Sequence, residues 1–296
     1  MIVRNQNICL HPLKHFPATG ITADVLRLDE LHPVVSGNKW FKLQYYLEEA
    51  LNSGADTIAT FGGAYSNHIV ATAFAAREQG LKTVGFIRGE EPPQLSHTLR
   101  DAKAFGMELV FLSREKYREP ANVMTLYGKP GWLWVPEGGS GKTGADGAAG
   151  ILDTVNKDLY SHIICAAGTG TTVAGLVKAA SERQLVTGIS VLKGYDEMPE
   201  AVKSMLNENE KQKPFKIIHE YHFGGYARCP ETLLAFMREL WETETIPTDI
   251  VYTAKMFFGV CDLARKGEFP EGSRLLLIHT GGLQGNGSLP AGTLPF

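Results

Sequence analysis

The residues of this chain that could do chemistry gather in a few glycine-rich segments. Ser36-Gly37-Asn38-Lys39-Trp40-Phe41-Lys42-Leu43 sets a lysine just after a tight turn, at the start of a helical pattern. A free lysine amine, with a pKa near ~10.4, is almost wholly protonated at neutral pH. Burial or a nearby helix N-terminus lowers that value and frees the amine as a nucleophile. Spacing alone favours the simpler reading of Lys39, a solvated surface lysine.

The clearest local signal is Ala166-Ala167-Gly168-Thr169-Gly170-Thr171-Thr172-Val173-Ala174-Gly175, which follows a strand pattern and opens a helix. Glycines let backbone N–H groups approach an anion closely. First-turn amides lack partners within the helix, and the helix dipole favours negative charge there by about 0.3–1 kcal/mol. The threonine hydroxyls add donors. The competing reading is a tight turn capped by threonine, but the glycine and hydroxyl density exceeds what a cap needs, so a phosphate cradle is preferred. Gly62-Gly63-Ala64-Tyr65-Ser66-Asn67-His68 also joins a strand to a helix. Ser66 or Asn67 there could cap the helix, or the same geometry could bind a carboxylate, and the local sequence does not separate the two.

Other chemistries fit poorly. A dinucleotide fingerprint needs Gly or Ala at position 173, where Val173 stands, and a Walker loop ending at Gly141-Lys142-Thr143 needs glycine where Pro136 stands. His219 and His222 fall on a strand pattern that would send them to opposite faces, with no third ligand nearby, so a metal site is not expected. No G-x-S-x-G elbow is present.

The elements that must position these segments are alternating strands and helices. Strand patterns at Thr57–Phe61, Thr83–Ile87, Glu108–Leu112 and Trp132–Val135 are interleaved with helical ones at Ser66–Gln79 and Leu95–Phe105. A second series has strands at His162–Ala167, Thr187–Leu192, Lys216–Tyr221 and Arg274–His279. Its helices are Thr172–Glu182, Glu197–Leu206, Glu231–Glu242 and Tyr252–Lys266. The strand runs lack polar alternation, as parallel strands covered on both faces do. Repeated βα units in two sets predict an α/β protein with two doubly wound parallel sheets, and Gly138–Gly150 is the expected crossing between them. Ligands in such sheets bind beyond the carboxyl ends of the strands, which brings the segments at 62–68, 137–141, 168–172 and 279–282 to one cleft.

Composition excludes some partners. The net charge of −3 and the absence of a basic run give no reason to expect nucleic acid. The longest apolar run, such as Leu275–Ile278, is far too short to cross a bilayer, so no membrane association is expected. The N-terminal stretch has no unbroken apolar core, and Cys9, Cys165, Cys229 and Cys261 are scattered, which predicts free thiols in a reducing, cytoplasmic setting.

Taken in order, these segments resemble the 1-aminocyclopropane-1-carboxylate deaminase and D-cysteine desulfhydrase family of fold-type II pyridoxal 5'-phosphate (PLP) enzymes. The family's G-G-N-K-x-x-K-L is matched by Ser36–Leu43, its Q-S-N-H by Tyr65–His68, and its proline-glutamate-glycine-glycine-serine turn by Pro136–Ser140. Its threonine-glycine phosphate loop is matched by Gly168–Thr172, its V-Y-T-G-K by Val251–Lys255, and its I-H-T-G-G by Ile278–Gly282. Each motif is weak alone; together, in order, they are specific and run from about residue 21 to 283.

The resemblance implies two doubly wound parallel-sheet domains with the cofactor in the cleft, a large one of residues 1–41 and 151–296 and a small one of residues 42–150. It implies that Lys39 carries PLP as a Schiff base and later acts as general base. Lys42 and the loop Gly168, Thr169, Gly170, Thr171 and Thr172 would hold the phosphate. Asn67 would bond the ring hydroxyl, Thr253 would face the pyridine nitrogen, and Thr280 would join the cofactor contacts. Ser66, Asn67 and His68 would meet the substrate carboxylate, with Tyr226 and Tyr252 over the reacting carbon and Lys39, Ser66 and Tyr252 as the catalytic set. Where the deaminases have Glu, this chain has Thr253, and a hydroxyl supplies no negative charge to keep the nitrogen protonated. His68 and Thr280 also resemble the desulfhydrases. The implied reaction is therefore β-elimination of D-cysteine, or a similar β-substituted amino acid, to pyruvate, ammonia and sulfide. The alternatives are ring-opening deamination of 1-aminocyclopropane-1-carboxylate and a PLP-holding protein with little catalysis. A homodimer acting on a small amino acid is expected. Ser36, Tyr65 and Ala254 depart from the family pattern, and Tyr65 and Ala254 flank the expected substrate site.

Overall fold

The computed structural model describes residues 8–296. Two β-sheets carry the chain, with strands and helices labelled in chain order. The larger sheet is built from β1 (Leu10–Pro12), β2 (Thr22–Arg27), β7 (His162–Ala167), β8 (Leu185–Ser190), β9 (Phe215–Ile218) and β10 (Arg274–His279). Its spatial order is β1-β2-β10-β7-β8-β9, and only the β1–β2 pair is antiparallel. The smaller sheet is parallel, in the order β5-β4-β3-β6, from β3 (Thr57–Gly62), β4 (Lys82–Arg88), β5 (Met107–Leu112) and β6 (Trp132–Val135).

The strand sequences explain this arrangement. β7 (HIICAA), β10 (RLLLIH) and β3 (TIATFG) are near-continuous apolar runs, and β3 is buried at every position. Such strands need cover on both faces, which the helices supply. The helices are α1 (Asn38–Ser53), α2 (Asn67–Arg77), α3 (His97–Ala104), α4 (Arg114–Tyr117), α5 (Pro120–Tyr127), α6 (Lys142–Ala149), α7 (Thr171–Ala179), α8 (Met198–Ser204), α9 (Glu231–Glu244) and α10 (Thr253–Arg265). One apolar cluster includes Ile58, Ala71 and Val135 of the smaller sheet's layer with Ile163, Val173 and Leu276 of the larger. Each such aliphatic side chain, when large and fully buried, contributes about 1.5–3 kcal/mol.

The segment expected as a crossing, Gly138–Gly150, does run from β6 of the smaller sheet toward β7 of the larger, and it holds helix α6. Its glycines serve close packing: a Cβ at Gly147 would overlap the Phe41 carbonyl oxygen of α1, and α7 approaches through Gly175 against Ala145 and Ala148. The strand expected over Lys216–Tyr221 ends at Ile218, so His219 and His222 lie in a loop, not on opposite faces of a strand. The division expected at residues 41 and 42 falls inside α1.

Both sheets have a topological switch point. In the smaller sheet β3 leads to β4 on one side while β6 lies on the other; in the larger, β7 leads to β8 on one side while β10 lies on the other. A crevice opens at the carboxyl ends of strands flanking such a point. The segments after β3, β6, β7 and β10 therefore converge. No helix is long and apolar enough to cross a membrane, and no cluster of His, Cys, Asp and Glu suits a metal ion, among the described residues.

Candidate active site

A cavity of about 470 Å³ lies where these four segments meet. It is lined by Asn38, Lys39 and Lys42 from the start of α1 and by Gly63–His68 after β3. Glu137 and Gly138 follow from β6, Gly168–Thr172 from β7, and Thr280–Gly282 from β10, with Tyr226, Tyr252 and Arg88 also on its wall. A volume of this size suits a cofactor or a small substrate. A larger trough of about 720 Å³ sits among Tyr160, Arg183 and Arg274, but it is open and far less enclosed, and no site motif reaches it.

The start of α1 is pinned by a close backbone approach. Gly37 has φ +67°, and a Cβ there would overlap the Thr280 carbonyl oxygen. Asn38 N–H donates to that same oxygen at 3.3 Å. Its side-chain amide donates to Thr172 Oγ1 at 2.7 Å and accepts from Lys39 Nζ at 3.1 Å. One asparagine thus ties the lysine to the threonine loop. Lys39 Nζ lies 5.9 Å from the centre of the Tyr252 ring. Burial lowers its pKa to about 8, with Asp249 opposing the shift. The surface-lysine reading does not hold: the side chain is half-buried on the cavity wall with its amine bonded to Asn38, and the lowered pKa brings the free amine closer to neutral pH.

Lys42 is 4% exposed, and burial followed by the nearby Lys39 charge drives its pKa far down. No carboxylate figures among the groups that shift it, Lys39 and Cys165, and burial pushes the Cys165 thiol up to about 12. Beside it, α7 begins at Gly170, which has φ +80°, and no side chain caps the helix. The threonine-cap reading therefore fails; the first-turn amides and the Thr169–Thr171 hydroxyl pair, 3.0 Å apart, remain for an anion. The same holds at α2, where Ser66 occupies the cap position without a capping hydrogen bond. Asn67 Oδ1 is buried without a partner among the described residues.

His68 is fixed by hydrogen bonding on the cavity wall. Thr60 Oγ1 donates to Val135 O at 2.8 Å, so it accepts from His68 Nε2–H, also at 2.8 Å. That fixes the tautomer and leaves Nδ1 as a bare acceptor, buried and unpartnered. Burial, then Lys39 and Lys42, lowers the His68 pKa to about 3. His68 lies on the cavity wall as expected, as a neutral ring tied to Thr60. Thr253 departs from expectation. It is fully buried and absent from the cavity wall, its Oγ1 donating to Asp249 Oδ2 at 2.6 Å and accepting from Asp249 N–H at 2.8 Å. Thr280 is the threonine that lines the cavity. Tyr226 and Tyr252 meet edge to face with ring centres 6.1 Å apart, and burial holds the Tyr252 phenol protonated well above its ordinary range.

Sequence reasoning missed three contributors, and it placed Glu137 at the cleft only as part of the 137–141 segment. Asn38 stands inside the recognised segment, but its two-way bonding appears only in the fold. Arg88 lies at the carboxyl end of β4, a placement that could have flagged it. Asp249, three residues before Tyr252, carried the signal of an acid ahead of a helix start.

The pattern of the pyridoxal-phosphate dependent enzyme family matches residues 9–281. This chain is a pyridoxal-phosphate dependent enzyme. It is similar to a putative 1-aminocyclopropane-1-carboxylate deaminase of Thermotoga maritima, 34% identical over 90% of each chain. It is also similar to a mitochondrial protein of Arabidopsis thaliana named as a bifunctional D-cysteine desulfhydrase/1-aminocyclopropane-1-carboxylate deaminase, at 27% identity over 85% of this chain and 70% of that one. The crystal structure of an ACC deaminase homologue superposes with a TM-score of 0.79 at 29% identity, covering 95% of this chain and 90% of the other. As a PLP enzyme the chain has a coherent donor set: a half-buried amine of lowered pKa, a buried lysine whose protonated form an anion would favour beside a glycine-threonine helix start, and an asparagine oxygen, unpartnered among the described residues, that suits a phenolic hydroxyl. These residues fit the cofactor's aldehyde, phosphate and ring hydroxyl. The relatives' names include both 1-aminocyclopropane-1-carboxylate deaminase and D-cysteine desulfhydrase. Thr253, on which the expectation of D-cysteine elimination rested, is not on the cavity wall.

Proposed function

We propose that this PLP enzyme deaminates a small amino acid, and that 1-aminocyclopropane-1-carboxylate, opened to a 2-oxo acid and ammonia, is its substrate. The observation that carries the deamination is the Lys39 amine, lowered to about pKa 8 and held by Asn38 in the cavity wall beside Tyr252. The choice of substrate follows the names of the relatives. Lys42 and the Gly168–Thr172 turn would hold the phosphate, Asn67 the ring hydroxyl, and Thr280, rather than Thr253, the pyridine nitrogen. The cofactor, when bound, supplies the electron sink for cleavage at the substrate's α-carbon.

The chain's own groups supply the rest. Ser66 and the first-turn amides of α2 orient the substrate carboxylate. Lys39, in its deprotonated form, accepts a proton at the reacting carbon or returns one. Tyr252, held protonated, can deliver a proton to a carbon or a leaving group, and Tyr226 packs beside it. A second reading, β-elimination of D-cysteine, has one observation in its favour. No carboxylate except Glu137 lines the cavity among the described residues, and a threonine hydroxyl cannot hold the ring nitrogen protonated by charge.

The two amino acids separate the readings. Purified PLP-loaded protein should release ammonia and a four-carbon 2-oxo acid from the cyclopropane substrate, and Lys39→Ala should abolish this. Release of sulfide and pyruvate from D-cysteine, with the cyclopropane substrate untouched, would establish the second reading instead.

A further inference from the structure

A second buried lysine lies outside the set that handles the cofactor. Lys255, on the first turn of α10, is 0% exposed. Its Nζ donates to the carbonyl oxygens of His222 and Gly225, at 3.0 and 2.7 Å. Both carbonyls belong to the loop after β9 that carries Tyr226. This loop is unusual in its backbone: Phe223 (φ +53°), Gly224 (+92°), Gly225 (+122°) and Ala227 (+56°) are all left-handed. For the two non-glycine residues that conformation costs about 1–2 kcal/mol each. Local bonds, such as Gly224 N–H to His222 Nδ1 at 2.9 Å and Arg228 N–H to Gly225 O at 3.2 Å, do not tie the loop to the body of the protein. Attachment comes from α10, through Phe223 packed edge to face on Phe258 and through the Lys255 ammonium.

A buried ammonium is costly without partners, and carbonyl oxygens are acceptors that cannot neutralise it. Burial lowers its pKa to about 8, although Asp249 and Cys229 resist the shift. Asp249 makes no ion pair with it, being engaged by the backbone of α10. A leucine or methionine here would fill the space at less electrostatic cost. What only the ammonium provides is a pair of directed bonds to carbonyls on either side of the turn that aims Tyr226 at Tyr252.

We propose that Lys255 is a positioning residue, holding the 222–228 loop so that Tyr226 stands against Tyr252 over the substrate. The inference rests on the proposed function in one respect, that Tyr226 takes part in turnover. The test is a mutant cycle on the PLP-loaded enzyme with Lys255→Met, Tyr226→Phe and the pair combined. If Lys255 acts through Tyr226, each single variant lowers kcat by about 10- to 100-fold, KM moves less than kcat, and the double variant is no slower than Tyr226→Phe alone. Losses that multiply in the double variant would show that Lys255 does not act through Tyr226, and would overturn the proposal. Lys255→Gln, which keeps an amide donor, should recover part of the rate and replaces Lys255→Met if that variant does not fold. Hydrogen exchange decides the loop's attachment independently of turnover. The amides of Gly224, Gly225 and Arg228 should lose protection in the Lys255 variant while β7 and β10 keep theirs; unchanged loop protection would overturn the proposal. If the wild-type enzyme turned over neither amino acid, the proposed function would fall, and the exchange comparison would still judge Lys255.

Discussion

Lys39, Lys42 and His68 share one buried wall, and the two lysines crowd positive charge into it. That charge, after burial, is why His68 remains neutral down to about pH 3. The unfolded chain binds a proton at this histidine near ~pH 6.5, and the folded chain does not until far lower. Between those values the unfolded state holds more protons, so stability is full above the unfolded pKa and is lost as pH falls. One pKa unit corresponds to about 1.4 kcal/mol, so at ~pH 4.5 this residue alone should cost about 3 kcal/mol. His68→Asn should flatten the fall of the urea midpoint between ~pH 6.5 and ~pH 4.5, compared with the wild type. Parallel curves would mean the ring is protonated in the fold. At this scale the sequence offered residue types in the right neighbourhoods and little more. The segment around Lys39 was compatible with an ordinary surface lysine, because burial of an amine is a property of what packs around it.

At the scale of elements, α10 depends on a residue that lies outside it. Asp249 Oδ1 accepts from the amides of Val251 and Tyr252, both at 2.8 Å, and Oδ2 accepts from Thr253 N–H at 2.9 Å. A fully buried carboxylate thus sets the entry of the helix that carries Tyr252 and Lys255. Asp249→Ala would leave several buried donors unmatched at about 1–3 kcal/mol each. The expected result is a loss of at least ~3 kcal/mol in urea unfolding, with slower turnover because Tyr252 is no longer fixed. A loss under ~1 kcal/mol would mean that water or other groups replace the carboxylate. Most strands and helices were legible, since their apolar runs and glycine stops are local. The helix α6 was not, because Gly144 and Gly147 weaken its helical pattern. They are tolerated through contacts with α1 and α7 that no local pattern displays. The β1–β2 pair was also missed, its short antiparallel strand lying ahead of the repeating units.

For the molecule as a whole, the cofactor is part of the stability. Lys42 is buried without an acid, a cost that a phosphate at the Gly168–Thr172 turn would offset. Binding to the folded state alone stabilises by about 2.7 kcal/mol when the free ligand is at ~100 times Kd. Apoprotein should therefore melt several degrees below the PLP-loaded enzyme, and inorganic phosphate should restore part of the difference. Identical melting of the two forms would show that Lys42 does not depend on that anion. This coupling reaches both sheets, because the cavity wall draws on the ends of strands from each.

The α/β class, the presence of two sheets, the segments that form the cavity and, through the motifs, the cofactor were all legible in the residues alone. These follow from local patterning: period, glycine placement and the order of short motifs survive without long-range contacts. Tertiary structure decided which of the polar residues in those segments face the ligand. It turned Thr253 toward Asp249, left Thr280 on the cavity wall, made a neutral acceptor of His68 and recruited Lys255 to the Tyr226 loop. Those outcomes depend on distances between residues far apart in the chain, and on burial that shifts a proton's affinity, neither of which a linear pattern contains.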